Sequence, residues 1–196
     1  MKVFIAGAGG AIGQRLLPLL VATGHQVTGM TRSSKSSEGI RAAGAIPVIA
    51  DALDHDAVMR AVEQAAPDAI VHELTALPDK LDLRHFDREF ALTNRLRTEG
   101  LDHLIAAARA SGCKRIVAQS YAGWPYAREG GPVKTENDPL DPNPPRAFRR
   151  TLEAIRYLED KVTGLAGMVG IALRYGGFYG PGTSLAAGSD MVSQVP

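Results

Sequence analysis

The chain has 196 residues, 45% of them hydrophobic and 22% charged, which suits one globular domain with a sizeable core and excludes a disordered chain. Its 22 basic and 21 acidic residues leave a net charge of +1, so no broad electrostatic footprint for nucleic acid or an anionic membrane surface is present. One cysteine, Cys113, excludes an internal disulfide framework and a cysteine-based zinc cage, and reads as a small buried hydrophobe.

KVFIAG (2–7) predicts a strand stopped by glycine, and AIGQRLLPLLVATG (11–24), apolar at helical spacing, predicts a helix ending at Gly24. Strands follow at 26–32, 45–51, 68–74, 114–120 and 169–176. Between them lie predicted helices at 36–44, 54–67 with Asp54 as its cap, 85–112 stopped by Gly112, and 145–164. Residues 121–144, rich in proline and glycine, predict a loop. Strands alternating with helices predict an α/β fold with a doubly wound parallel sheet, a three-layer Rossmann arrangement over 1–184, and an irregular tail at 185–196. The apolar run VFIAGAGGAI is broken by glycines and lacks the length of a membrane span and the architecture of a signal peptide. A soluble cytoplasmic protein with no membrane partner is therefore expected.

GAGGAIG (7–13) sits between the first strand and the first helix. Gly7 would permit the sharp turn, Gly10 would remove a side chain where a pyrophosphate approaches, and Gly13 would let the helix pack closely on the sheet. The N–H groups of Ala11, Ile12 and Gly13 would face the anion, assisted by the helix dipole. A glycine-rich turn without ligand is the alternative, but the strand-to-helix context is the one that a phosphate cradle requires.

The Gly-x-x-Gly-x-x-Gly spacing resembles the short-chain dehydrogenase/reductase superfamily, in its extended or atypical epimerase/dehydratase branch. Further segments match in order over residues 1–184. IAD, with Asp51 and Ala52 beside it, resembles the position that meets the adenine. VHELTA (71–76), with Leu74, Thr75 and Ala76, resembles the strand end lining the cofactor ribose, and Asn94 falls at the family's helix asparagine. RIVAQSYAG (115–123) resembles the segment bearing the active-site serine, and LRYGGFYGPGT (173–183), with Tyr179, the one near the nicotinamide. The resemblance implies an NAD(P)-dependent oxidoreductase acting by hydride transfer on a small or nucleotide-sugar substrate, and a homodimer formed through the long helices. It also implies a further substrate-binding region after residue 184, so either a truncated form or a pocket completed by another chain is expected.

At the end of the second strand, GMTRSSKSS has no acid before Glu38, whereas Arg32, Ser33 and Lys35 offer two cations and a hydroxyl suited to a 2′-phosphate. NADP is expected, with NAD as the alternative. The family's catalytic tyrosine and the lysine four residues later are missing: aligned through Glu153, their places hold Pro145 and Arg149. Tyr157 and Lys161 have the right spacing but lie too deep in the helix, and read as a surface pair. The catalytic candidates are Ser120, at the first of the family's two strand-end serines, and Tyr121, at the second. Tyr121 or Tyr126 could replace the missing phenol, with Arg149 lowering its pKa. His72, beside Glu73, reads as a positional residue. The other histidines lack metal-ligand spacing, so no metal is expected. Arg146, Arg149 and Arg150 read as a solvated helix face. The rival reading is an NADP-binding sensor or regulatory protein without turnover.

Overall fold

In a computed structural model, which describes residues 1–77, 82–180 and 183, six parallel strands form one sheet. They are β1 (Lys2–Ala6), β2 (Gln26–Thr31), β3 (Ile46–Ile49), β4 (Ala69–His72), β5 (Arg115–Tyr121) and β6 (Val169–Tyr175), in the spatial order β3-β2-β1-β4-β5-β6. The order reverses between β1 and β4, where Ala6 pairs with Met30 on one side and His72 on the other. That reversal opens a crevice at the carboxyl ends of the strands, the place where doubly wound sheets hold ligands.

Alternation along the strands divides the core into two layers. Val3, Ile5 and Val27 pack against Leu17 of α1 (Gly13–Ala22) and Ile40 of α2 (Ser34–Ala42). Phe4, Met30, Ile70, Ile116 and Ala118 face α3 (His55–Ala65), α6 (Leu101–Ser111) and α7 (Arg149–Thr163), through Val58, Leu104 and Leu158 among others. Cys113 lies in this second layer, buried, as its sequence context suggested. Among the described residues no helix is long and apolar enough to cross a membrane.

Two predicted helices differ in detail. The expected helix over 85–112 is a succession of a 3-10 turn (Leu83–His85), α4 (Phe86–Glu89), α5 (Ala91–Arg95), a wide π turn at Leu96–Gly100, and α6. The Leu96 carbonyl in the wide turn accepts from His72 Nε2 at 3.1 Å. The expected helix over 145–164 starts as a 3-10 turn (Arg146–Phe148), and α7 follows. Its start is held from outside: Asp87 accepts from the backbone N–H groups of Arg150 and Thr151 at 2.9 and 2.8 Å. The loop over 121–144 is pinned by an antiparallel bridge between Tyr126 and Leu140. The predicted tail at 185–196 lies outside the described residues.

Candidate active site

The glycine turn joins β1 to α1. Gly7 has φ of 95°, and a Cβ there would meet the Glu73 carbonyl at 2.6 Å. At Gly13 a Cβ would fall 2.6 Å from Ala8 Cα, so helix and turn touch without room for a methyl group. Above Gly10 the space is open except for the Gly7 carbonyl, 3.3 Å from a notional Cβ. Gly9, which the spacing argument passed over, is needed too: its Cβ would lie 2.9 Å from that of Ser36. The start of α1 carries no side-chain cap, and no backbone acceptor among the described residues takes the N–H of Ala11, Ile12 or Gly13. A ten-residue helix that ends in free donors under an open cradle fits a pyrophosphate.

Beyond this cradle, Arg32 and Lys35 are exposed and form no ion pair among the described residues, while the Ser33 hydroxyl caps α2 by accepting from Ser36 N at 3.3 Å. Asp51 is exposed and accepts from Leu53 N at 3.0 Å, and Ala52 is buried beneath it. Leu74, Thr75 and Ala76 leave β4 half-buried, and the Thr93 hydroxyl ties both N–H and carbonyl of Ala76, at 3.0 and 2.9 Å. Asn94 donates to Thr151 Oγ1 at 3.0 Å and leaves its buried Oδ1 without a partner.

At the carboxyl ends of β4, β5 and β6 the side chains sort by alternation. Ser120 shares a face with Ile116 and Ala118, is 1% exposed, and donates to Glu159 Oε1 at 2.5 Å. Glu159 also receives Arg174 Nε and Nη2 at 2.9 and 2.7 Å. Tyr121 points to the opposite face, half-buried, and its hydroxyl finds no hydrogen-bond partner among the described residues. Burial pushes its phenol up, against the pull of the Arg97 guanidinium. The cation near Tyr121 is therefore Arg97 of the π turn; the expected Arg149 is exposed at the start of α7, and the Tyr121 pKa is raised instead of lowered.

The other tyrosines are engaged or remote. Tyr126 accepts from Arg174 at 3.3 Å, and Tyr157 donates to Asp102 at 2.6 Å with Lys161 over its ring, as suits a contact between α6 and α7. Tyr175 meets Glu73 at 3.2 Å, and Tyr179 stands 87% exposed. His72 uses both ring nitrogens, Nε2 toward Leu96 and Nδ1 for Leu74 N at 3.2 Å, and burial pulls its pKa to about 4. It is neutral and serves as a spacer between β4 and the π turn. A separate groove of about 950 Å³ opens beside β6, lined by Tyr126, Lys134 and Glu136, away from the glycine turn.

Comparison with known proteins agrees with this fold. The model of the NAD dependent epimerase/dehydratase family matches residues 3–195. The chain belongs to this family. A 3-diazoavenalumate denitrifying reductase from a Streptomyces species is 44% identical over 188 residues, which are 95% of this chain and 59% of that protein. A 2-alkyl-3-oxoalkanoate reductase from Stenotrophomonas maltophilia is 34% identical over 61% of this chain and 33% of its own. Among solved structures, a Thermus thermophilus UDP-glucose 4-epimerase in complex with NAD superposes with a TM-score of 0.74 at 21% identity, over 95% of this chain and 59% of that one. The chain thus spans about three fifths of the length of the Streptomyces relative.

One residue of this epimerase/dehydratase chain is an unusual tenant of a strand end. Glu73 is 6% exposed, its Oε2 has no partner, and burial pushes its carboxyl up to about 7, with the Tyr175 hydroxyl only partly offsetting this. Because the folded pKa lies above the unfolded value of 4.5, ionisation opposes folding. The penalty is absent below the unfolded value and complete above the folded one, so stability falls as pH rises through that window, by up to about 3 kcal/mol from this residue. Glu73→Gln is expected to flatten the dependence, bringing urea midpoints at about pH 5 and about pH 8 together. A variant that keeps the wild-type slope would assign the dependence to other groups.

Proposed function

We propose that the chain forms the dinucleotide-binding half of an NADP-dependent reductase that acts on a small carbonyl-type substrate. The observation that carries this reading is the Tyr121 phenol, half-buried and without a hydrogen-bond partner among the described residues, at the end of β5 and on the crevice edge that also bears the glycine cradle. Relatives above 30% identity named as reductases, one of an oxoalkanoate, support a small substrate in place of a nucleotide sugar.

The glycine turn would take the pyrophosphate on the N–H groups of Ala11, Ile12 and Gly13. Arg32 and Lys35, without an ion pair among the described residues, would meet a 2′-phosphate, Ser33 would hold α2 in place beside them, and Asp51 would face the adenine. Leu74, Thr75 and Ala76, braced by Thr93, would line the ribose. When bound, the cofactor supplies a hydride. Tyr121, a phenol protonated at neutral pH and held so more firmly by burial, donates its proton to the oxygen of the reduced carbonyl, and the positive field of Arg97 stabilises the phenolate left behind. Solvent returns the proton. Ser120 is a positioning residue here, fixing the end of β5 through Glu159.

The test is a titration of wild type and Arg32→Ala with NADPH and NADH, followed by nicotinamide fluorescence. Wild type is expected to prefer NADPH, and the variant to lose about tenfold or more of that preference, the worth of one charge-assisted contact. Equal affinities for both dinucleotides in wild type would return the reading to NAD. Binding without turnover on any carbonyl probe would favour the regulatory reading, for which Pro145 and Arg149 in place of the tyrosine and lysine speak.

A further inference from the structure

The π turn at Leu96–Gly100 carries a group that the fold does not explain. Arg97 is 7% exposed, its Nη1 is fully buried, and its guanidinium forms no hydrogen bond or ion pair with any described residue. A buried cation without a counter-charge is costly, and a bound anion would relieve that cost. Burial pulls its pKa down to about 10, which leaves it charged at neutral pH. Tyr121 is the one described ionisable group whose charge raises that pKa appreciably; no described carboxylate does. His72, on the other side, is neutral and already holds the preceding carbonyl of the same turn.

We propose that Arg97 anchors a carboxylate of the substrate, so that the crevice takes an oxo acid in preference to a neutral carbonyl compound. The inference rests on the reading that Tyr121 faces the substrate carbonyl. Position separates this anion from the cofactor's: the pyrophosphate cradle follows β1, whereas Arg97 acts at the ends of β4 and β5. Charge selects the class. One guanidinium, with no second cation coupled to it among the described residues, balances one negative charge, and its planar fork matches the two oxygens of a carboxylate; a diphosphate would remain under-neutralised. The neighbourhood of Tyr121 then places carboxylate and carbonyl close together in the same small molecule.

The experiment uses NADPH-loaded chain and two matched pairs of probes, acetate with acetamide and benzoate with benzamide. Binding is followed by nicotinamide fluorescence and by the shift of the unfolding midpoint. At least one carboxylate is expected to bind tenfold or more tightly than its amide. Arg97→Gln should abolish that difference with NADPH affinity unchanged, and Arg97→Lys, which keeps the charge but not the fork, should retain part of it. In the absence of ligand, Arg97→Gln should leave stability equal or higher, because it removes an uncompensated charge. Carboxylates and amides binding alike to wild type would overturn the assignment of Arg97 alone, as would a marked loss of stability in ligand-free Arg97→Gln, which would reveal an internal partner. Failure of wild type to bind NADPH would overturn the reductase reading, and this inference with it.

Discussion

Replacing Glu159 by alanine is expected to cost the fold about 3–5 kcal/mol, the penalty for leaving a buried charge without its partner. The Glu159 and Arg174 side chains are only 12% and 17% exposed, and they meet through two contacts, at 2.9 and 2.7 Å, in the forked geometry that guanidinium and carboxylate share. Glu159 belongs to α7 and Arg174 to β6, and Ser120 adds β5 by donating to the same carboxylate. The carboxylate therefore ties one helix to two strands. With alanine in its place, the Arg174 guanidinium would keep only its longer contacts to the Tyr126 hydroxyl and the Glu136 carbonyl, at 3.3 and 3.4 Å. Ser120→Ala removes one hydrogen bond and leaves the ion pair, so its loss should be nearer 1 kcal/mol. Urea unfolding of the two variants measures both numbers. A loss under about 1 kcal/mol for Glu159→Ala would mean that water replaces the carboxylate and that the pair is not desolvated.

How much of this was readable in the sequence depends on the distance between the residues concerned. The glycine turn is legible because each glycine answers a local demand: the positive φ at Gly7 and the contact at Gly13 arise within a few residues of each other. Gly9 was not, since its neighbour Ser36 comes from the second helix. The parallel, doubly wound sheet followed from regular alternation of elements, and the division of Ser120 from Tyr121 is implicit in a strand whose Ile116 and Ala118 are buried. Arg97 was missed because a charged residue in a helix reads as solvated. Its spacing to Leu101, Leu104 and Ala108 nevertheless places it on the buried face, a signal available to a stricter count of helical positions. The π turn left no such trace: its Leu96 carbonyl meets His72, a residue remote in the chain. The pairing of Glu159 with Arg174 likewise needs the docking of α7 on β6, which periodicity cannot supply. Arg149 was expected to be the cation at Tyr121 by alignment to a family lysine, but the exposed start of α7 keeps it in water.

The expected result for Tyr121→Phe is a fall in turnover of about a hundredfold or more with little change in cofactor affinity. The substitution keeps the ring and removes the proton, so packing against Gly123, whose added Cβ would lie 3.6 Å from the hydroxyl, is preserved. General acid catalysis by a placed side chain contributes about 10²–10⁴-fold, which sets the size of the loss. No other phenol stands ready to substitute: Tyr126 is bound to Arg174, Tyr157 to Asp102 and Tyr175 to Glu73, and Tyr179 is out in solvent. Ser120 is committed to Glu159 on the far face of the strand. NADPH consumption on pyruvate, acetoacetate and benzoylformate, together with fluorescence titration of the dinucleotide, separates the two effects. If both turnover and NADPH affinity fall together, Tyr121 supports the binding of the dinucleotide and is no acid. If turnover is unchanged, the proton comes from water, and the unpartnered phenol is the neighbour of the reaction and not its donor. The raised pKa adds a second signature, since a phenol that stays protonated beyond its ordinary range keeps its proton available as the solution turns alkaline. Wild-type turnover should accordingly hold steady from neutral to mildly alkaline pH, and a decline already complete near pH 8 would point to the carboxyl of Glu73 as the group that must carry the proton.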